Sequence, residues 1–335
     1  MSKDRYWRAI SIDSITPNCF PNVALYLKSG CNYVLYKDPE RMFTMDDRHR
    51  MERSFTEFLY VRSGDMELLN EFMEKNMTEM LAREDISSAA KGKVLYQTSV
   101  NCVIDMFESP EASANLNRCR SMVQNMLHHI TTDNHAFESL QSVIDHNFYI
   151  FAHAVQVTAL SLLVHERLFD LAPDEMLDVG VGSLIHDYGM TFITNEVLEK
   201  NDALSDVEYY KVKQHTQKGY EYLKHSGNYS EIVLNIVRYH HERFDGNGYP
   251  TGIKGDEIPR SAQVSALCDG YSAIIMDRAY RKAKTPGEAI TILREEAIKG
   301  AFKLELFEKF AEIIHETYAG TAALSHDERR AVVKH

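Results

Sequence analysis

Two adjacent histidines at the end of a helical pattern constrain this chain more than any other feature of its sequence. Apolar residues at positions 232, 233, 236 and 237 share helical stripes with His240 and His241, so both imidazoles are predicted to face the core. A single histidine on such a face is usually a hydrogen-bonded core residue. Two in a row are harder to bury, because every ring nitrogen needs a partner and charged rings are costly in apolar surroundings. A metal ion would resolve this. The following residues 245–250, Asp-Gly-Asn-Gly-Tyr-Pro, would alone indicate only a sharp turn.

Length and composition indicate an ordinary globular protein. The chain has 335 residues, of which 44% are hydrophobic, which is enough for two domains or for one large domain with a smaller appendage. No apolar run approaches the roughly 20 residues that span a bilayer, and the N-terminus lacks the apolar core of a secretion signal. We therefore expect a cytoplasmic protein that does not associate with membranes. The five cysteines are scattered, which predicts reduced thiols rather than a disulfide framework.

The charge balance argues against a nucleic-acid polymer as partner. There are 49 acidic and 37 basic residues, giving a net charge of −12, which repels a long polyanion. A small anionic ligand is still compatible with this charge if metal ions and a few arginines reverse the field locally.

The first part of the chain has the pattern of a small mixed α/β accessory domain, assigned to residues 1–64. Residues 24–28 and 32–36 are rich in strand-forming side chains and flank a Ser-Gly-Cys turn, which predicts a hairpin. Residues 58–61 form a third predicted strand. No residue in this domain indicates a ligand, and it is a candidate surface for a protein partner or for dimerisation.

Helical patterns fill the remainder of the chain. Residues 65–146 are assigned to a helical linker or accessory region, in which the adjacent pair His128 and His129 is interpreted as a solvated helix end. Residues 147–325 are assigned to an all-α bundle, whose first segment, 148–169, is apolar on almost every side and is therefore predicted to be a buried central helix. Capping boxes at 205–208 and 285–288 mark the starts of two further helices.

The bundle carries seven potential metal ligands on five successive predicted helices. Each of them could separately be a structural residue, but helices that pack around a shared axis would bring all seven into one pocket, which is how bundles build metal sites. Seven ligands exceed what one ion commonly takes, whereas two ions bridged by a carboxylate would use them all. The nitrogen and oxygen donors suit iron or manganese, with zinc as an open alternative. The seven residues are His153, His186, Asp187, His215, His240, His241 and Asp269.

The order of these ligands resembles a known family. His153, then His186-Asp187, then Asp269 follow the H…HD…D pattern of HD-domain phosphohydrolases. The further histidines and the loop after them resemble those of the HD-GYP subgroup. The resemblance covers nearly all of residues 147–310. It implies an all-α HD domain and a phosphodiesterase that opens cyclic di-GMP, a bacterial second messenger, to pGpG and sometimes to GMP. The residues that carry the subgroup resemblance are His215, His240, His241, Glu242 and the loop 245–250.

The resemblance also implies roles for individual residues. His186 and Asp187 form the motif at the catalytic centre, and Asp187 bridges two divalent ions, most consistent with iron, with manganese as the alternative. Arg278 and Arg281 match basic positions near the substrate phosphates. Tyr249 matches the tyrosine of the loop, which shapes that loop and completes the implied substrate-binding set. The first ion would be held by His153, His186, Asp187 and Asp269, and the second by Asp187, His215, His240 and His241.

Three positions depart from the family pattern. Met190 stands where the family usually has a lysine thought to contact the substrate phosphate or to help the leaving group, and the loss of a charge-assisted contact would slow or abolish turnover. Tyr149 replaces the glutamate of members credited with a third metal, so two metals are predicted. Ala154 replaces a common serine, a change for which we have no interpretation.

Three functions therefore remain open at the level of sequence. The first is a metal-dependent cyclic di-GMP phosphodiesterase of weak activity. The second is a catalytically degenerate protein that binds metal and nucleotide as a receptor or as a protein-interaction module, which Met190 favours. The third is hydrolysis of another nucleotide phosphate, which the metal ligands allow but which the loop at 245–250 does not favour.

Overall fold

The structure is a computed structural model, and the chain divides into two compact units. One unit comprises Met1–Ile104 and Gln124–Val143, and the other comprises Asp105–Val123 and Ile144–His335. The domain boundaries that the sequence suggests, at residues 64 and 146, stay predictions. The described residues are 7–12, 15, 17, 20–30, 32–84, 86–108, 113–133, 135–136, 140, 149–198, 200, 202–226, 229–276 and 282–332.

A four-stranded antiparallel sheet forms the first part of the N-terminal unit. Its strands are β1 (Trp7–Ser11), β2 (Leu25–Ser29), β3 (Asn32–Lys37) and β4 (Phe58–Arg62), in the order β1-β4-β2-β3. The β2–β3 pair is the predicted hairpin, and its turn uses Gly30 at a φ of 59°. The third predicted strand, at 58–61, is also confirmed. It pairs with β1, which the sequence pattern had not resolved as a separate strand.

A short helix that the sequence had not indicated completes this small core. Helix α1 (Met45–Arg53) follows the hairpin, and its Met51 is buried in an apolar cluster with residues of the sheet. The helix begins with a capping box, in which Thr44 and Asp47 bond reciprocally to each other's backbone N–H. Three longer helices follow: α2 (Met66–Ala82), α3 (Ser88–Glu108) and α4 (Ser113–Thr132).

The interpretation of His128 and His129 as a solvated helix end is wrong for one member of the pair. His128 is exposed, but His129 is 2% exposed. Burial lowers the pKa of His129, and its Nδ1 lies 4.0 Å from a carboxylate oxygen of Asp133. Adjacent residues on a helix point about 100° apart, so a polar helix end can bury one side chain and expose the next.

The C-terminal bundle begins with the central helix that the sequence predicts. Helix α5 (Tyr149–Leu168) buries nearly every described side chain in its middle two turns, including Val155, Leu160 and Leu162. The further helices are α6 (Pro173–Leu184), α7 (Asn195–Leu198), α8 (Asp206–Ser226), α9 (Glu231–Tyr239), α10 (Arg260–Ile275), α11 (Pro286–Ile298) and α12 (Leu304–Val332). Both predicted capping boxes are present, one before α8 and one before α11. The predicted fold class, an all-α C-terminal bundle preceded by helices and a small mixed N-terminal domain, is confirmed.

Two glycines allow the helices of the bundle to approach closely. A Cβ at Gly182 of α6 would press against the backbone of Val233 on α9, so the two helices meet there. A Cβ at Gly189, just after α6, would overlap the carbonyl oxygen of His215 on α8. These close contacts bring the end of α6 against both α8 and α9.

Three of the five cysteines lie in the described part of the chain. Cys102, Cys119 and Cys268 are buried thiols, and Cys19 and Cys31 lie outside the described residues. Among the helices that the structure describes, none is long and apolar enough to cross a membrane.

A buried carboxylate ties helix α1 to the sheet. Asp47 accepts hydrogen bonds from Tyr36 at 2.8 Å, from Arg41 at 2.9 Å, and from the backbone and hydroxyl of Thr44 at 2.9 Å each. Burial alone would raise the pKa of this carboxyl, but these donors outweigh it and lower the pKa to about 2. The ionised form of Asp47 therefore stabilises the N-terminal unit.

We expect Asp47→Asn to destabilise the N-terminal unit by about 2–3 kcal/mol at neutral pH, because buried donors would lose a charged acceptor. Urea unfolding followed by the fluorescence of Trp7 measures this, since the chain's only tryptophan lies on β1 of the same sheet. Asp46→Asn, at the exposed preceding position of α1, is the matched control and should change stability little.

The effect of Asp47→Asn should depend on pH with a defined sign. The folded pKa lies below the unfolded value of about 3.9, so the contribution of Asp47 is complete above that value and is lost as the pH falls through the folded pKa near 2. An equal loss of stability at pH 7 and at pH 2 would contradict this account.

Candidate metal centre

All seven predicted ligands lie in the C-terminal unit and meet at one place. The end of α6 supplies His186 and Asp187, and the end of α9 supplies His240 and His241. The other three lie within helices: His153 on α5, His215 on α8 and Asp269 on α10. Five helices thus contribute to one cluster, as the sequence predicts.

The potential ligand atoms form two groups, in each of which all atoms lie within 4.8 Å of one another. The first group is His153, His186 and Asp269, and the second is Asp187, His215, His240 and His241. The two carboxylates connect the groups. Asp187 places Oδ2 3.5 Å from His186 Nε2 and Oδ1 3.3 Å from His215 Nε2. Asp269 places Oδ1 2.9 Å from His153 Nε2 and Oδ2 3.8 Å from His241 Nδ1.

Backbone carbonyls fix the orientation of three imidazoles. The Nδ1 atoms of His186, His215 and His240 lie 2.7, 2.8 and 3.0 Å from the carbonyl oxygens of residues 183, 212 and 236. A carbonyl oxygen can only accept, so each Nδ1 carries a proton and donates it. In a neutral ring the Nε2 of the same residue is then an unprotonated acceptor, and all three Nε2 atoms point into the cluster.

His153 is held by side chains rather than by a backbone carbonyl. The Ser272 hydroxyl donates to the side-chain oxygen of Gln156 at 3.1 Å and lies 3.2 Å from His153 Nδ1. On its other side the ring places Nε2 2.9 Å from Oδ1 of Asp269, within hydrogen-bond distance, and this contact lowers the pKa of the Asp269 carboxyl.

These orientations leave acceptors facing acceptors in a buried space. The Nε2 atoms of His215 and His240 are 3.3 Å apart, and both rings are essentially inaccessible to solvent. His186 Nε2 is buried without a hydrogen-bond partner among the described residues. Such an arrangement is costly unless a cation lies among the lone pairs.

Protonation of His240 and His241 is opposed by their surroundings. Burial lowers the pKa of His240 well below its ordinary value and lowers that of His241 to about 3. Burial would raise the pKa of the Asp187 and Asp269 carboxyls, but the neighbouring imidazoles outweigh it, and both pKa values are lowered. His240 and His241 therefore favour the neutral form and the two carboxyls the ionised form, which are the forms in which these groups bind a divalent metal ion.

The donor set therefore fits a divalent metal. Imidazole nitrogens and carboxylate oxygens together suit iron, manganese or zinc, and there is no thiolate among the seven residues. That these residues hold ions, and that the ions are two, stays a prediction.

The loop after the histidine pair folds back over it. The buried carboxylate of Glu242 accepts from the backbone N–H and hydroxyl of Thr251, both at 2.7 Å, and from Gly252 N–H at 3.0 Å. This holds the ring of Tyr249 on the ring of His241, with centroids 4.8 Å apart. Tyr249 therefore covers the centre on the side of His241, and its predicted role at the substrate stays a prediction.

The sequence pattern indicates Glu242 only as part of a motif and does not indicate Ser272 as a partner of His153. The sequence does contain a signal for Glu242, because its carboxylate directly follows the two histidines. Thr251 and Gly252, which donate hydrogen bonds to this carboxylate, lie in the loop that comes next. No local pattern pairs Ser272 with His153, since they are 119 residues apart.

The positions that depart from the family pattern are only partly described. Met190 is half-buried, and its backbone N–H donates to the carbonyl of Asp187 at 2.8 Å, so its side chain starts one turn from the ligands. Ala154 is buried on α5. Arg278 and Arg281 lie outside the described residues, so their predicted contact with substrate phosphates stays a prediction.

Two enzymes with curated names are similar to part of this chain. Cyclic di-GMP phosphodiesterase PA4108 of Pseudomonas aeruginosa is 33% identical over 166 residues, which cover 50% of this chain and 39% of PA4108. The 3′3′-cGAMP-specific phosphodiesterase 2 of Vibrio cholerae is 32% identical over 174 residues, which cover 51% of this chain and 33% of that enzyme. The chain thus spans well under half the length of either relative.

A solved structure and a family model agree with the observed fold. Bd1817, an HDG"Y"P protein from Bdellovibrio bacteriovorus, superimposes with a TM-score of 0.69 at 18% identity, over 92% of this chain and 99% of that one. At this identity the likeness shows the fold alone. The family model HD_5, an HD domain, matches residues 138–302, which include all seven candidate ligands. Residues 138–302 therefore match the HD-domain family, and the resemblance to HD-GYP proteins that the sequence indicates is confirmed.

Proposed function

We propose that this protein is a metal-dependent phosphodiesterase that hydrolyses cyclic di-GMP to pGpG. The observation that carries the proposal is the convergence of five imidazoles and two carboxylates in one buried cluster within the HD domain. The named relatives support phosphodiester hydrolysis, and PA4108 supports cyclic di-GMP as the substrate.

The roles of the residues follow from their geometry. The three Nε2 atoms of the rings fixed through Nδ1 would hold the ions without rotation of the rings, and Asp187 would join the two groups. Divalent ions in such a site supply a Lewis acid for phosphate oxygens and lower the pKa of the attacking water. Tyr249 covers His241 and limits solvent access on that side, and ionised Asp187 and Asp269 offset the positive charge of the ions.

A second candidate function rests on Met190. A lysine at this position would give a charge-assisted contact to a phosphate, and a thioether gives none. The same site without that contact would bind metal and nucleotide and act as a receptor. A third candidate, cleavage of 3′3′-cGAMP, is supported by the similarity to the Vibrio cholerae enzyme. The cytoplasmic location and a partner for the N-terminal unit stay predictions.

We expect His215→Ala to remove about one metal ion per chain and to lower the rate of cyclic di-GMP hydrolysis at least 100-fold, because it deletes one ligand of the second group. Elemental analysis and product chromatography measure both effects after iron or manganese loading. His225→Ala, at an exposed position on the same helix, is the matched control and should leave both values within about two-fold. Unchanged metal content in His215→Ala would contradict the assignment of the ligands.

We expect Met190→Lys to raise kcat for cyclic di-GMP about ten-fold or more, because it adds a charge-assisted contact that strengthens as charge develops on the phosphate. Met190→Leu keeps the volume without the charge and should leave kcat nearly unchanged. Nucleotide binding without turnover in both the parent and the lysine variant, at full metal content, would favour the receptor over the enzyme.

A further inference from the structure

A lysine near the metal centre has aromatic neighbours but no carboxylate. Lys213 lies on α8, two residues before His215, and is half-buried. Its ammonium lies 4.6 Å from the ring centroid of Tyr209 and 5.3 Å from that of Tyr249. Both distances are within the range in which a cation is attracted to an aromatic face.

Lys213 differs from several lysines of the same unit in having no carboxylate partner. Four other lysines of the C-terminal unit, at positions 200, 299, 303 and 309, each contact a carboxylate within 3.1 Å. Within the described part of the chain, Lys213 makes no ion pair and donates no hydrogen bond to a side chain or to the backbone. The two rings hold its ammonium in place and leave its three N–H groups available to an anion.

The position of Lys213 relates it to the metal centre. Tyr249 contacts both the ammonium of Lys213 and the ring of His241, so one aromatic ring separates this cation from a candidate ligand. Gly189, which precedes Met190, packs directly against the backbone of His215 on α8. Lys213 is thus a positive charge on the helix against which the turn before Met190 packs.

We propose that Lys213 binds a phosphate group of the substrate and supplies the positive charge that Met190 does not. The proposal rests on the proposed phosphodiesterase function and names a residue that recognises its substrate. An ammonium beside a phosphodiester donates to its non-bridging oxygens and favours anionic ligands with more than one phosphate. Tyr209 positions the lysine by cation–π contact and does not touch the phosphate in this account.

The test compares Lys213→Met, Lys213→Arg and Lys211→Met in full-length, manganese-loaded protein. Lys211 is an exposed lysine on the same helix and serves as the control. For Lys213→Met we expect a 10- to 100-fold rise in the Kd and KM for cyclic di-GMP, a change in kcat of less than about three-fold, and a weaker dependence of Kd on salt. Lys213→Arg should retain near-parental affinity, and all three variants should retain the parental metal content.

The outcomes separate this proposal from the proposed function. If the parent binds or cleaves cyclic di-GMP and Lys213→Met does so equally well, the role of Lys213 is overturned while the proposed function stands. If the parent neither binds nor cleaves cyclic di-GMP, the proposed function fails, and the KM for bis(4-nitrophenyl) phosphate decides the role of the lysine. A KM for this compound that rises in Lys213→Met but not in the other two variants supports phosphate binding by Lys213. An unchanged KM in Lys213→Met, or a parent that cleaves neither cyclic di-GMP nor this compound, overturns it.

Discussion

The C-terminal unit is organised around a buried cluster of imidazole nitrogens and carboxylate oxygens that can accept hydrogen bonds but do not donate them. Three histidines donate Nδ1–H to backbone carbonyls, which forces their Nε2 lone pairs toward one another and toward two carboxylates. Without a cation this arrangement would be unfavourable, because buried acceptors need donors and ionised carboxylates need compensation. The carbonyl contacts are therefore best explained as the means of holding ligands ready for metal.

The packing of the bundle provides the short distances that this cluster requires. Gly182 and Gly189 remove side chains where α6 and the turn after it meet α9 and α8, so the ends of these helices converge. The Glu242 carboxylate then draws the following loop back by accepting from Thr251 and Gly252, which places Tyr249 on His241. Close helix contacts and one buried carboxylate thus determine the geometry of the centre.

Much of this site could be predicted from the sequence, and the reason is physical. Helical spacing fixes which side chains share a face, so the ligands could be assigned to the buried faces of successive helices before their contacts were known. The tautomers could not be predicted, because they depend on carbonyl positions and on Ser272, which is distant in sequence from His153. The short helix α1 was missed because its residues are mostly polar and only Met51 enters the core deeply. His129 was misassigned because composition cannot tell which of two adjacent side chains turns inward.

The effect of divalent ions on the unfolding of chelator-treated protein tests the central claim most directly. An ion that binds only the folded cluster must stabilise it by an amount that grows with the logarithm of its free concentration. The account predicts that manganese or iron raises the Tm of the C-terminal helices and that about two ions bind per chain at saturation. A Tm that no divalent ion changes, in protein that remains folded after chelation, would show that the buried imidazoles and carboxylates do not form a metal centre.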